Sequence, residues 1–372
     1  MAMTLIAPAV LDIRDEFDIS YNMAQLVITA FLASMSIGLM FVGLISDRFG
    51  RRPVFLSGLA LYFFSSLAGY FAQQADIVIL SRTIQGLSAA ALMTTGRVIA
   101  NDLYKASDAS RALSSITAIQ SIVPVIALAV GGVIVSHFGW RATFGIMAGF
   151  SFLVFCQSLL LIAESNKTPL KALPMSEVIY AFRSVFASKY WQFYSLCAGM
   201  QIGMFYSMNG YMPYHFTRLG ASLAEFGLYY ATISFGYLIG NIINRHFGNI
   251  MSLGQWIICG SWITLIVLAV IWLGDEASLL SPLLLSALLS LIGFAHGLLV
   301  ANAIISSLVG AGQHTGTASG IGNATHMIFG ALSGSVIISL GGATSFWICI
   351  AINMAMAVIS LWASYRGSHL ES

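Results

Sequence analysis

Charge is what this chain has least of. Only 8% of its 372 residues are Asp, Glu, Lys or Arg, where a soluble domain carries about 25%. Apolar residues make up 58%, and the mean hydropathy is +0.87. A water-soluble fold of this size has no interior able to hide so much apolar surface, so the chain is expected to fold in a bilayer. Cysteine is also scarce. Cys156, Cys197, Cys259 and Cys349 all lie in apolar stretches without CxxC spacing, which excludes a thiolate metal site and reads as small buried hydrophobes. A net charge of +2 marks neither a nucleic-acid surface nor an acidic tail. No basic stretch precedes a small-residue cleavage site at the N-terminus, so no removable signal peptide is expected. There is no HExxH, no mid-helix DxxxD pair, no GxSxG and no His/Cys metal spacing. These absences argue against an enzyme and against a bound cofactor.

What is there is a series of long apolar runs. A spanning helix needs about 20 mostly apolar residues. Eleven runs of that length lie at roughly 22–45, 54–73, 76–100, 111–136, 141–163, 191–213, 223–244, 252–273, 279–308, 318–340 and 343–365. The first segment, MAMTLIAPAVLDI, is apolar but only 13 residues long, half a span. Counting it as the first helix makes the runs helices two to twelve. The expected fold is all-α and membrane-embedded: two six-helix bundles around a central cavity, with the first helix truncated.

Lys and Arg set the orientation. With the cluster at 43–53 in the cytoplasm, that side receives Arg48, Arg51, Arg52, Lys105, Arg111, Lys167, Lys171, Arg183, Lys189, Arg245 and Arg366. The outer side receives Arg14, Arg141 and Arg218, while Arg82 and Arg97 lie inside the fourth helix. Both termini are then cytoplasmic. Residues 164–190 carry four basic residues and Pro169 and Pro174, and separate an N-terminal bundle, 1–163, from a C-terminal bundle, 191–372. Within this linker Val178, Ile179, Phe182, Val185 and Phe186 recur at helical spacing, as in an amphipathic helix lying on the membrane surface. Lys189, Tyr190 and Trp191 read as an interfacial anchor for the seventh helix. GLISDRFG at 43–50 and GNIINRHFG at 240–248 end corresponding helices of the two halves, which favours a parallel duplication with a site between the halves.

GLISDRFGRRP, residues 43–53, resembles the loop 2–3 signature of the major facilitator superfamily. ILSRTIQGLSAA at 79–90 is similar to the family's Arg-x-x-Gln-Gly motif, and Pro124 with Gly131 and Gly132 resembles its antiporter motif, with Val123 in place of the usual Gly. RVIANDLY at 97–104 and GTASGIGNA at 316–324 are similar to the Bcr/CflA branch of the drug:proton antiporters. The resemblance implies a monomeric secondary transporter of the bacterial inner membrane. It would export small hydrophobic or amphiphilic compounds in exchange for protons, with the proton gradient as its energy source. A siderophore or metabolite exporter is the alternative within the fold, and a transporter-like sensor or channel the alternative outside it.

Physical reasoning assigns roles to these motifs. Gly43 and Gly50 permit a tight turn. Asp47, with Arg48 and Arg51 beside it, can pair with an Arg or cap a helix start across the halves, a gate that would break when the cytoplasmic side opens. Arg82 with Gln85 either lines or buttresses a proton path, or Arg82 snorkels to the interface. Pro124, Gly131 and Gly132 would give a bent, smooth helix surface that seals the halves. Tyr206, Asn209, Gln120 and Asn302 are the substrate-contact candidates, and Tyr211 and Tyr214 read as belt residues. Proton antiport needs a titratable group in the membrane, yet no carboxylate lies deep in a span. The resemblance places an acid where Met1 stands. Either the protein starts upstream, or His296 and His326 titrate instead, or the chain is an inactive remnant.

Overall fold

The computed structural model describes residues 2–103, 106–166, 175–310 and 315–370; within these, the side chains of residues 2, 101, 125, 175, 177, 178, 249, 315 and 316 and most of those of 106–121 lie outside the description. The described residues form helices and no strand. The order is α1 (Ala2–Ile6), α2 (Ala9–Phe17), α3 (Tyr21–Phe49), α4 (Arg51–Tyr70), α5 (Ala75–Leu103), α6 (Ala106–Phe138), α7 (Arg141–Leu161) and α8 (Met175–Ala187). Then follow α9 (Lys189–Arg218), α10 (Leu223–Phe247), a 3-10 turn over Gly248–Ile250, α11 (Leu253–Glu276), α12 (Pro282–Val309), α13 (Thr315–Ser339) and α14 (Phe346–Ser368). Among the described residues nine helices are long and apolar enough to cross a membrane: α3, α4, α5, α7 and α10 to α14. The eleven expected runs reduce to nine on this measure. The described part of α6 offers only Ile122–Phe138 as an apolar run, and the 30-residue α9 is diluted by polar and aromatic side chains.

Local chemistry sets the helix ends. Ser20, Ser222, Ser252 and Ser281 each accept a backbone N–H from the third residue of the helix they start. At Ser222 and Ser252 the third residue, Glu225 or Gln255, bonds back to the cap's own N–H. These pairs satisfy donors that the helix leaves open. The first segment is split into α1 and α2 at Ala7–Pro8, where proline supplies no N–H to continue the ladder. Gly50 joins α3 to α4 at φ +98°, a backbone angle that residues with a Cβ rarely adopt.

Packing runs from α3 against α5 and α13, from α4 against α5 and α7, and from α10 against α6 and α12. α9 packs on α12, α13 and α14. The outer surface is oily: Phe138, Leu160, Leu161, Leu273 and Leu279 are all exposed. In water such a surface would aggregate; in lipid it is solvated.

The linker segment contains helix α8. Of its expected apolar face Val185 is buried, with Ala181 beside it, while Ile179 and Phe186 are exposed along with Tyr180, and the Val178 side chain lies outside the described residues. Trp191, however, is not an interfacial anchor. It is 3% exposed and packs with Val185, Ala318 and Ile321, so it pins α8 to α13 from inside the protein. Tyr211 and Tyr214 are likewise buried rather than belt residues. Tyr211 is bonded to Asn353 of α14, and Tyr214 meets the Tyr21 ring edge-on at 5.2 Å.

Candidate functional site

Two adjoining cavities lie between the first and second groups of helices. The outer one, about 480 Å³, reaches the end of the molecule that bears the 43–53 loop. Gly43 and Asp47 of α3, Arg97 of α5, Phe182 of α8, and Thr317 and Ser319 at the start of α13 line it. The inner one, about 260 Å³, is lined by Pro124 of α6, Tyr206 of α9, Ser234 and Tyr237 of α10, His296 of α12, and His326 of α13. Met93 and Asn323 line both, so the two adjoin.

The opposite end is drawn together by contacts across the same seam. Thr29 on α3 and Ser335 on α13 share a 2.8 Å hydrogen bond, and the Ser36 hydroxyl donates to the Ala324 carbonyl at 2.8 Å. Gln25, 2% exposed, is wedged against Gly210 and Gly334. On the other flank α6 crosses α10 glycine to glycine. A Cβ on Gly132 would stand 2.6 Å from the Leu223 carbonyl oxygen and 3.0 Å from the Gly227 Cα. Neighbouring Gly131 packs on α1, where a Cβ would stand 2.9 Å from the Leu5 carbonyl oxygen. The chamber is therefore reached from the loop end and closed at the other.

The inner chamber is mostly apolar, with a few polar groups and no charged residue among the described residues that line it. His296 and His326 are each 4% exposed. His326 lies beside the Ser195 backbone, but neither of its ring nitrogens meets hydrogen-bond geometry, nor does His296 Nε2 or Ser234 Oγ. An unmade bond at a buried polar atom costs about 1–3 kcal/mol. Several such atoms converging on one cavity mark a place built to meet water or a ligand.

The 43–53 loop is held by a residue the sequence reading left without a role. The Glu164 carboxylate, just past α7, accepts the backbone N–H groups of Arg51 at 2.9 Å and Arg52 at 3.1 Å and so caps α4. A Cβ on Gly50 would come within 2.5 Å of Glu164 Oε2, so the cap requires glycine there. Desolvation pushes the Glu164 pKa up, but backbone N–H donors, from Asn166, Arg51, Arg52 and Ser165, outweigh it and hold the carboxyl below its ordinary range. Arg51 pairs with Asp47, reaches Asp102 at 3.5 Å, and donates to Ser46 at 3.1 Å. Ser165 donates to Asp102 at 3.0 Å, the Asn166 side chain donates to the Asp47 carbonyl at 2.9 Å, and Arg52 donates to the Leu159 carbonyl at 2.9 Å. Arg48 lies over the Phe49 ring. Among the described residues these partners of the loop belong to α3, α4, α5, α7 and the segment after α7. The second-half counterpart is built differently: Gly248 has φ −57°, and Asn244 bonds Asn302 on α12 at 3.1 Å.

Arg82 does not snorkel. It is fully buried, with Nε donating to the Val27 carbonyl at 3.0 Å and Nη1 to Gln85 Oε1 at 2.6 Å, while its guanidinium lies 4.3 Å from the Phe31 ring centre. Gln85 passes the chain on to Ser66 at 2.8 Å. Arg82 and Gln85 thereby tie α5 to α3 and α4, and they are not among the residues lining either cavity, where His296 and His326 stand. Of the substrate candidates, Tyr206 lines the inner chamber. Asn209 donates to the Phe205 carbonyl at 2.8 Å, Asn302 pairs with Asn244, and neither lines either of these two cavities. The Gln120 side chain lies outside the described residues.

The family model of the Major Facilitator Superfamily matches residues 1–333. The chain is 24% identical over 372 residues to the bicyclomycin resistance protein homolog of Haemophilus influenzae, covering 96% of this chain and 90% of that one. It is 22% identical over 368 residues to an uncharacterized transporter of Rickettsia felis, covering 95% and 91%. Multidrug resistance protein MdtL of Shewanella oneidensis is 31% identical over 157 residues, 41% of this chain and 39% of the relative. Among solved structures, a D-xylose-proton symporter superposes with a TM-score of 0.75 at 17% identity, covering 96% of this chain and 93% of that chain. A bacterial homolog of the human lysosomal transporter Spinster, in an inward-facing and unoccupied conformation, gives 0.67 at 15% identity, covering 98% and 93%. These two likenesses bear on the fold alone.

Proposed function

The chain belongs to the Major Facilitator Superfamily, and from that premise we propose that it exports small hydrophobic or amphiphilic compounds from the bacterial cytoplasm by proton antiport. The carrying observation is the chamber, open at the loop end and closed at the other, whose deepest polar groups are two imidazoles. The protein is a multi-pass membrane protein. Placing the loop end in the cytoplasm follows from the Lys and Arg bias. The C-terminus is then cytoplasmic, and we read the structure as the inward-facing state of a monomer in the inner membrane. The two halves, 1–163 and 191–372, rock about the chamber with 164–190 as their tether.

Substrate enters past Asp47 and Arg97 and lodges near Tyr206, Pro124 and the histidines. Opening to the far side breaks the Thr29–Ser335 and Gln25 contacts and parts α6 from α10. Closing the loop end brings Asp47 towards the first turn of α13, whose Thr317 and Ser319 face it across the cavity. There the open N–H groups of a helix start favour a carboxylate. In the inward-facing state Arg51 holds that carboxylate in place. Arg82 and Gln85 keep the first-half helices rigid around the path. A proton taken up by His296 or His326 on the outer side is released when the chamber faces the cytoplasm.

The test is drug-driven proton movement in inverted membrane vesicles energised to an acid interior. Addition of a substrate is expected to collapse part of the gradient, reported by an acridine dye. Failure of every compound in a chemically broad panel to do so, at verified membrane levels, refutes the antiporter reading.

A further inference from the structure

Among the described residues lining the inner chamber there is no Asp, Glu, Lys or Arg. Its titratable side chains are Tyr206 from α9, Tyr237 from α10, His296 from α12 and His326 from α13, while α5 and α6 contribute Met93 and Pro124. The charged residues Asp47 and Arg97 line the outer cavity instead. The buried polar atoms without hydrogen bonds here are His296 Nε2, both ring nitrogens of His326, and Ser234 Oγ.

That inventory discriminates between ligands by charge. A permanent cation moved into the chamber would lose its water and find no carboxylate, a penalty of several kcal/mol. An uncharged molecule loses little on entry, and its O–H or N–H groups find acceptors. A neutral imidazole offers one lone pair and one N–H, whereas a protonated imidazole offers donors only. A proton and a ligand donor therefore seek the same lone pair. The aromatic walls, Tyr206, Tyr237 and Phe205, suit a ring. At about 260 Å³ the chamber lies at the small end of ligand sites, which fits one or two rings.

We propose that the inner chamber selects uncharged aromatic compounds bearing hydrogen-bond donors, held by the lone pairs of His296 and His326, that protons displace them from those lone pairs, and that permanent cations are rejected. This rests on the transporter reading above and names its substrate class and its point of coupling.

Purified full-length protein is titrated calorimetrically with p-hydroxyacetanilide, an uncharged ring with N–H and O–H donors, and with phenyltrimethylammonium, a permanent cation that also carries one ring. The uncharged probe is expected to bind at neutral to mildly alkaline pH, below the range near about 10 in which a phenol ionises. Its Kd should rise with falling pH, by up to about tenfold per unit for each competing proton. Phenyltrimethylammonium is expected to give no saturable binding. In the double variant His296→Gln, His326→Gln each site keeps an acceptor and a donor but takes no proton, so binding should persist with a flat pH profile. Thermal unfolding checks that the variant is folded; each single variant serves if the double one is not. Phenyltrimethylammonium binding as tightly as the uncharged probe, no binding of the uncharged probe, or an unchanged pH profile in folded Gln variants each overturns the proposal. The vesicle assay separates it from its premise. Binding with the expected pH profile but no gradient collapse removes the antiporter reading and leaves the site. Gradient collapse by cations alone keeps the antiporter and removes the site.

Discussion

Replacing Gly132 by alanine adds one methyl group where α6 crosses α10. That carbon would stand 2.6 Å from the Leu223 carbonyl oxygen, 3.0 Å from the Gly227 Cα and 3.2 Å from the Gly227 nitrogen. All three are backbone atoms, so no side chain can swing aside. The helices must part by the better part of an ångström, which also strains the reciprocal seat of Gly227 against Leu128. Overpacking of this kind costs about 1–3 kcal/mol. The strain falls on the state in which this end is closed and is relieved when α6 and α10 separate, so the open-to-closed ratio at this end should rise about 5- to 150-fold. Pulsed spin-label distances between Phe138 on α6 and Leu279 before α12, both exposed at this end, measure it in a cysteine-free background. A longer-distance population is expected to grow in Gly132→Ala. Gly149→Ala is the control, because its added carbon meets nothing within 4 Å. A distance distribution and thermal midpoint identical to the parent's would refute the claim that this crossing seals the chamber.

Asp47→Asn should slow substrate-driven proton movement without reducing membrane insertion, because the neutral side chain loses its pairing with Arg51 and its attraction to the α13 start; equal rates at matched protein levels would count against the gate. Glu164→Gln removes the charge that caps α4, and the loss should be about 1 kcal/mol, small because the residue is solvent-exposed. The sign with pH follows from its depressed folded pKa: the contribution is full above the unfolded value of about 4.3 and disappears as pH falls through the lower folded value, so parent and variant melting curves should converge in strong acid. Arg82→Lys keeps the charge but cannot reach both the Val27 carbonyl and Gln85 with a planar fork. It should lose about 2–3 kcal/mol, the upper range for bonds from a charged donor, read as a lower detergent melting temperature, and a melting curve like the parent's would show that the fork is not needed.

Much of this protein is decided locally. The scarcity of charge, the long apolar runs and the Lys and Arg bias are properties of short segments. They determine a polytopic helical protein whatever the helices touch. Serine caps, the break at Pro8 and the turn at Gly50 are equally local.

Inside the bilayer that signal disappears. Lipid and protein interior are both apolar, so hydropathy marks depth without marking which face of a helix points inward. Tyr211, Tyr214 and Trp191 could be read as belt residues from their positions, and only packing shows that they are buried. The same ambiguity left Arg82 between cavity wall, buttress and snorkel until the Val27 carbonyl and Gln85 bonds placed it inside the first-half helices. Glu164 caps α4 more than a hundred residues from its partners Arg51 and Arg52, a pairing no local pattern announces. His296 and His326 are recognisable in sequence as titratable residues in apolar runs. That they face one uncharged chamber depends on how α12 and α13 rotate against α9 and α10, a choice made by close side-chain packing and not by the solvent.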